Sequence, residues 1–177
     1  MMQDPTAFLL ALAAITPAHL LADHWFQTRH QVEHKGDRSW AGRAACARHA
    51  LVHVLVAAPF LAAVALVFDS GLSLTGLVAG QVWTAVSHYV IDRRWTVERA
   101  ARWLTLFGLS VHVFHDVGRP RVHRVMAQRP GYPDATQTVT ELVQLDQGCM
   151  GTGRYVLDQT AHHAALFIAA LITALAS

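Results

Sequence analysis

Charge is scarce in this 177-residue sequence: Asp, Glu, Lys and Arg together make up 15% of it, against 53% hydrophobic residues. A soluble domain carries about a quarter charged residues. The shortage leaves little to cover a water-facing surface, and no nucleic-acid partner is expected. Cysteine is nearly absent. Cys46 and Cys149 are too few and too dispersed for a disulfide framework. No Lys or Arg precedes Phe8, so residues 1–22 lack the basic start of a cleaved signal peptide.

What the chain does have is long apolar runs. Residues 6–22, 49–68, 71–91 and 161–176 are four such segments, and a helix needs about 20 apolar residues to cross a bilayer. The second and third carry no polar face along their length, which leaves no side for water. Pro17 and Pro59 are tolerable in a membrane bundle, where neighbours satisfy the freed carbonyl. The expected fold class is an all-α, polytopic membrane four-helix bundle. Its helices cover about 6–31, 44–68, 71–95 and 155–176, and a cytoplasmic insertion fills 96–154.

The basic residues set the orientation. Arg29, Lys35, Arg38, Arg43 and Arg48 lie between the first two segments; Arg93, Arg94, Arg99, Arg102, Arg119, Arg121, Arg124, Arg129 and Arg154 lie between the last two. The positive-inside rule places both stretches in the cytoplasm and both termini outside. The insertion opens on "RRWTVERAARWLTLFG", an amphipathic stretch suited either to the inner membrane surface or to ordinary packing. "RPGYPDATQT" and "QGCMGTG" read as irregular loop.

Twelve histidines are many for this length, and five of them fall into a pattern with three aspartates. His19 and Asp23 close the first segment, His49 and His53 open the second, His88 and Asp92 close the third, and Asp158 and His162 open the fourth. Each pair is spaced i, i+4 and shares a helix face. With alternating helix directions, all eight side chains arrive at one depth. Ionisable groups in or near hydrocarbon are costly unless they face the bundle interior with a partner. Imidazole and carboxylate suit borderline divalent ions, zinc first, with Mn or Fe as alternatives, and eight donors are enough for two bridged ions. The competing reading is a hydrogen-bonded network that locks the helices together. Gln27, Ser87 and Gln159 stand where outer-sphere donors would. His24, His30, His34, His112, His115, His123 and His163 share no face with the pairs and are set aside as surface.

"HLLADHWFQ", "RHALVHVLV", "SHYVIDRRW" and "GTGRYVLDQTAHH" resemble, in order, the four motifs of the domain-of-unknown-function 3307 family, small integral membrane proteins of bacteria and phages. The resemblance implies a membrane fold and a polar cluster of His19, Asp23, Gln27, His49, His53, Ser87, His88, Asp92, Asp158, Gln159 and His162. It implies no reaction, and the insertion follows the family only at its end.

The chemistry points to a metal-dependent hydrolase acting on a lipid or lipid-phosphate headgroup at the cytoplasmic leaflet. In that reading Asp23, Asp92 or Asp158 serves as base, and Arg93 and Arg94 hold the anionic headgroup. The alternative is a non-enzymatic scaffold or partner-binding protein. A transporter fits poorly, since the polar groups sit at one end, unless the chain forms a homo-oligomer.

Overall fold

Two of the connections between helices are written into the chain as capping signals. In the computed structural model, which describes residues 5–106, 121–129, 132–143 and 153–177, Ser39 accepts a hydrogen bond from Gly42 N–H to start α3 (Trp40–Val67), and Ser73 does the same for Gly76 at the start of α4 (Leu74–Asp92). The other helices are α1 (Thr6–Leu21), α2 (Arg29–His34), α5 (Trp95–Leu106) and α6 (Gly153–Leu175). The chain divides into two units, residues 1–99 with 158–177, and residues 100–157.

The first unit is built inside out. Its core is mostly alanine: Ala11, Ala14 and Ala18 from α1, Ala57 and Leu61 from α3, and Leu166, Ala169 and Ala170 from α6, with Leu77 and Trp83 of α4 packed against them. Large aliphatic residues face outward, among them Leu51, Leu55 and Leu66 on α3. Val78, Val82, Val86 and Val90 form an exposed i, i+4 stripe on α4. Small residues inside and large ones outside is the packing of membrane helices, which associate by close backbone approach. Gly76 and Gly80 of α4 meet the end of α6 and the residues after it so closely that a Cβ at Gly76 would overlap Ser177 Oγ and Thr173 O, and one at Gly80 would overlap Thr173 Oγ1. Trp83 Nε1 donates to Ala165 O across the same seam.

Among the described residues, three helical stretches are long and apolar enough to cross a membrane: Thr6–Phe26, Trp40–Val67 and Tyr155–Leu175. The first does not run to residue 31 as expected. It passes through a π-helical turn, Ala22–Phe26, and Gln27 and Thr28 are extended. Thr28 and Gln31 then form a reciprocal capping box that begins α2. That start signal outweighs continuation of the first helix.

All-α describes the first unit. In the second, "RPGYPDATQT" proves not to be irregular: β1 (Arg121–Arg129) pairs antiparallel with β2 (Tyr132–Val143), Val125 opposite Val139, with a register shift at Gln128/Arg129. The run of alternating Val and Thr in 136–143 favours a strand more strongly than its Pro and Asp disfavour one. His123 lies on β1, whereas His112, His115 and residues 147–152 of "QGCMGTG" lie outside the described residues.

Candidate metal centre

The four helices deliver their imidazoles and carboxylates to one end of the first unit. His19 sits on the last turn of α1 and Asp23 on the π turn that follows. His49 and His53 come from α3, His88 and Asp92 from α4, His162 from α6. All five histidines are buried and Asp92 is 0% exposed. The π turn falls at the ligand-rich stretch itself, a common position for such widened turns.

Two triangles of donor atoms form. In the first, His49 Nε2 and His53 Nε2 are 3.3 Å apart, and Asp23 Oδ1 lies 3.2 Å from the former and 3.1 Å from the latter. Asp92 Oδ2 approaches this triangle at one corner, 3.2 Å from His49 Nε2. In the second, His19 Nδ1 lies 3.3 Å from His53 Nδ1 and 3.1 Å from His88 Nε2. Tetrahedral zinc with arms of about 2.0–2.1 Å sets its ligand atoms about 3.3–3.4 Å apart. The edges of the first triangle, 3.1 to 3.3 Å, lie close to that spacing, and both groups gather donor atoms that could hold a metal ion.

Backbone carbonyls fix the tautomers. His88 Nδ1–H donates to Thr84 O at 2.9 Å, and His162 Nδ1–H donates to Asp158 O at 2.9 Å. Each neutral ring then turns a bare Nε2 inward, the orientation carbonyl-anchored histidines show at metal sites. With His88 Nε2 bare, the proton between it and His19 belongs to His19 Nδ1, which leaves His19 Nε2 bare too. That atom faces Asp23 Oδ2 at 3.5 Å, and His162 Nε2 faces Asp92 Oδ1 at 3.8 Å. Both ring nitrogens are buried without a hydrogen-bond partner among the described residues. Acceptors thus face acceptors in two places, and a cation between them would relieve the repulsion.

The counter-charges are few. Lys35, from the end of α2, puts Nζ 2.7 Å from Asp92 Oδ1. Asp23, Asp92 and Asp158 against this one ammonium leave two negative charges when the imidazoles are neutral. One divalent ion, or two protons, cancels both.

Not every expected residue reaches the cluster. Asp158 stands behind His162, its Oδ2 3.5 Å from Nδ1 and its side chain 27% exposed, so it is an outer partner and not a member of either triangle. Gln27 touches His49 Nε2 at 3.1 Å through its amide. Ser87 donates instead to Thr84 O, and half-buried Gln159 joins no contact of the cluster among the described residues. Arg93 and Arg94, expected at a headgroup, hold the loop: Arg93 is buried and donates to Lys35 O and Asp37 O, while Arg94 donates to Val32 O. His163 is exposed, its ring 6.2 Å from that of His19. Lys35 is the group that pattern reading treats only as a topological charge. Its signal was available: it is the one lysine among thirteen arginines.

A family model described as "Protein of unknown function (DUF3307)" matches residues 9–115, which holds six of the seven converging side chains. No curated protein and no solved structure matches the chain.

Proposed function

The chain belongs to the DUF3307 family, and we propose that it is a four-span protein of the bacterial or phage-infected host cytoplasmic membrane that binds a divalent ion, zinc by donor chemistry, and hydrolyses a lipid or lipid-phosphate headgroup at the cytoplasmic leaflet. α4, 19 residues long, is the fourth span, and both termini lie outside. The observation that carries the reading is the triangle of His49 Nε2, His53 Nε2 and Asp23 Oδ1, 3.1 to 3.3 Å on its edges, which gathers two imidazoles and a carboxylate within reach of one ion.

Depth supports a headgroup substrate. Arg48 is exposed immediately before His49, and Trp25 and Phe26 are exposed just after Asp23. A charged side chain and amphipathic rings are favoured at the interface and not in hydrocarbon. The cluster therefore opens where ester and phosphate groups lie. A bound ion would supply Lewis acidity there and bring the pKa of a ligated water to about 7. Asp23, His49 and His53 would hold the ion and leave it a position for water. Asp158, partly exposed and outside the triangles, is placed to accept a proton through His162.

A second reading has its own support. His53 Nε2–H donates to Asp23, and Lys35 forms an ion pair with Asp92, both without an ion, as a structural network requires. The test is elemental analysis of detergent-purified protein, with H49N and H53Q alongside. The metal reading expects bound Zn, Mn or Fe in the wild type and none in the variants, which still insert. A wild type that takes up no ion on titration overturns it and leaves the scaffold.

A further inference from the structure

In the second donor triangle every ring has an acceptor behind it. His88 Nδ1–H donates to Thr84 O at 2.9 Å, His53 Nε2 lies 3.1 Å from Asp23 Oδ1, and His19 Nε2 lies 3.5 Å from Asp23 Oδ2. One carboxylate thus stands behind two of the rings and a backbone carbonyl behind the third. Ligand histidines are held in this way, with the far nitrogen donating to an outer acceptor. When each outer nitrogen carries its ring's proton, the three inner nitrogens are all bare. These are His19 Nδ1, His53 Nδ1 and His88 Nε2, which lie within 4.8 Å of one another. His19 Nδ1 is 3.3 Å from His53 Nδ1 and 3.1 Å from His88 Nε2.

Three bare nitrogens repel unless a cation lies among them. Without one, His19 gives its Nδ1 proton toward His88, and its Nε2 becomes a buried acceptor opposite a carboxylate oxygen. A cation at the triangle moves that proton to Nε2, where Asp23 accepts it, and the mismatch is gone. The donor set also selects the ion. The first triangle includes the carboxylate of partly exposed Asp23, whereas the second is three neutral, buried imidazoles. A trigonal ion with metal–imidazole bonds of about 2.0 Å sets its donors about 3.5 Å apart, close to the two short edges. Zinc asks for a fourth ligand. Cu(I), a closed-shell monovalent ion, is satisfied by three nitrogens, and imidazole suits copper.

We propose that His19, His53 and His88 form a second metal site, for Cu(I) held by three imidazoles, and that an ion there excludes one from the first triangle because both draw on His53. A neutral ring has one lone pair: Nε2 serves the first triangle and Nδ1 the second. Copper binding stands independently of the reading above, and the exclusion rests on it.

The experiment uses the full chain in detergent, stripped of metal and titrated without oxygen with Cu(I) from a chromophoric Cu(I) chelator. The wild type is expected to take up one Cu(I) per chain, with three nitrogen neighbours and the edge shape of three-coordination in X-ray absorption. H88Q should lose copper uptake and keep zinc uptake, and H49N should do the reverse. H19Q replaces H88Q if that variant does not fold, as judged by circular dichroism. Copper-loaded wild type should take up no zinc. No copper in the wild type, or undiminished copper uptake in folded H88Q or H19Q, overturns the second site and leaves the zinc reading in place. Copper and zinc held together in one chain would make His53 an imidazolate bridge and overturns the exclusion. Copper uptake by a wild type that takes up no Zn, Mn or Fe supports the second site and overturns the hydrolase centre.

Discussion

His53 faces two ways: its Nε2 lies 3.1 Å from Asp23 Oδ1 while its Nδ1 lies 3.3 Å from His19 Nδ1, so one ring belongs to both donor triangles. A neutral imidazole has one lone pair to give. Whichever triangle takes an ion through His53, the other nitrogen carries the proton. H53A should therefore abolish metal uptake altogether and not merely reduce it, as elemental analysis of the folded variant would reveal. Retained uptake in H53A would mean that the ion sits elsewhere.

Gln27 reaches His49 from the extended break after the π turn, its amide also 3.4 Å from His49 Nδ1, the nitrogen left for an outer partner when Nε2 holds the ion. Outer partners of metal ligands typically contribute about 10–100-fold to affinity. Q27A is expected to weaken zinc binding by about that factor while the helical content stays that of the wild type. Competition with a chromophoric chelator measures the loss.

Protons and metal compete for the same lone pairs. Ligand histidines must be neutral, so uptake releases protons and affinity falls as pH drops. The sign follows: apparent affinity should hold at high pH and decline as acid protonates the ligand imidazoles and carboxylates. The same titration run in two buffers of different ionisation enthalpy gives the number of protons released.

The outward stripe on α4 makes a separate, membrane-level prediction. Val82 is 59% exposed in the middle of Val78, Val82, Val86 and Val90. If that face meets acyl chains, V82R should cost about 2.5–3.5 kcal/mol of insertion energy. V82L should cost nothing measurable. A glycosylation-reporter insertion assay separates the two.

Gly80 tests the seam between α4 and α6. A Cβ there would overlap Thr173 Oγ1 and approach Ala169 O. G80V should force the helices apart and lower stability in detergent by about 1–3 kcal/mol, the usual cost of overpacking. T173S, which trims the neighbour, should be tolerated far better in a thermal-shift measurement.

The four i, i+4 pairs were legible because helix periodicity alone puts each pair on one face, and alternating segment directions bring the faces to one end. His19, Asp23, His49, His53, His88, Asp92 and His162 meet there for that reason. What remained hidden depended on tertiary detail. The break before α2 is signalled only by Thr28 and Gln31, two residues inside a stretch otherwise able to continue as helix. Arg93 and Arg94 read as topological or substrate-binding charges because sequence cannot tell which carbonyls a guanidinium will find. Asp158 keeps helical spacing with His162 yet lies on the outer side of the ring, since spacing specifies a shared face but not which nitrogen is met.

The alanine-filled middle of the helix cluster carries one last consequence. Ala11, Ala14, Ala18, Ala57, Leu61, Leu166, Ala169 and Ala170 close the space between the helices below the histidines. Among the described residues, backbones drawn that near leave little space between them. Whatever the cluster handles would therefore have to reach it and leave it from the end at which those imidazoles gather.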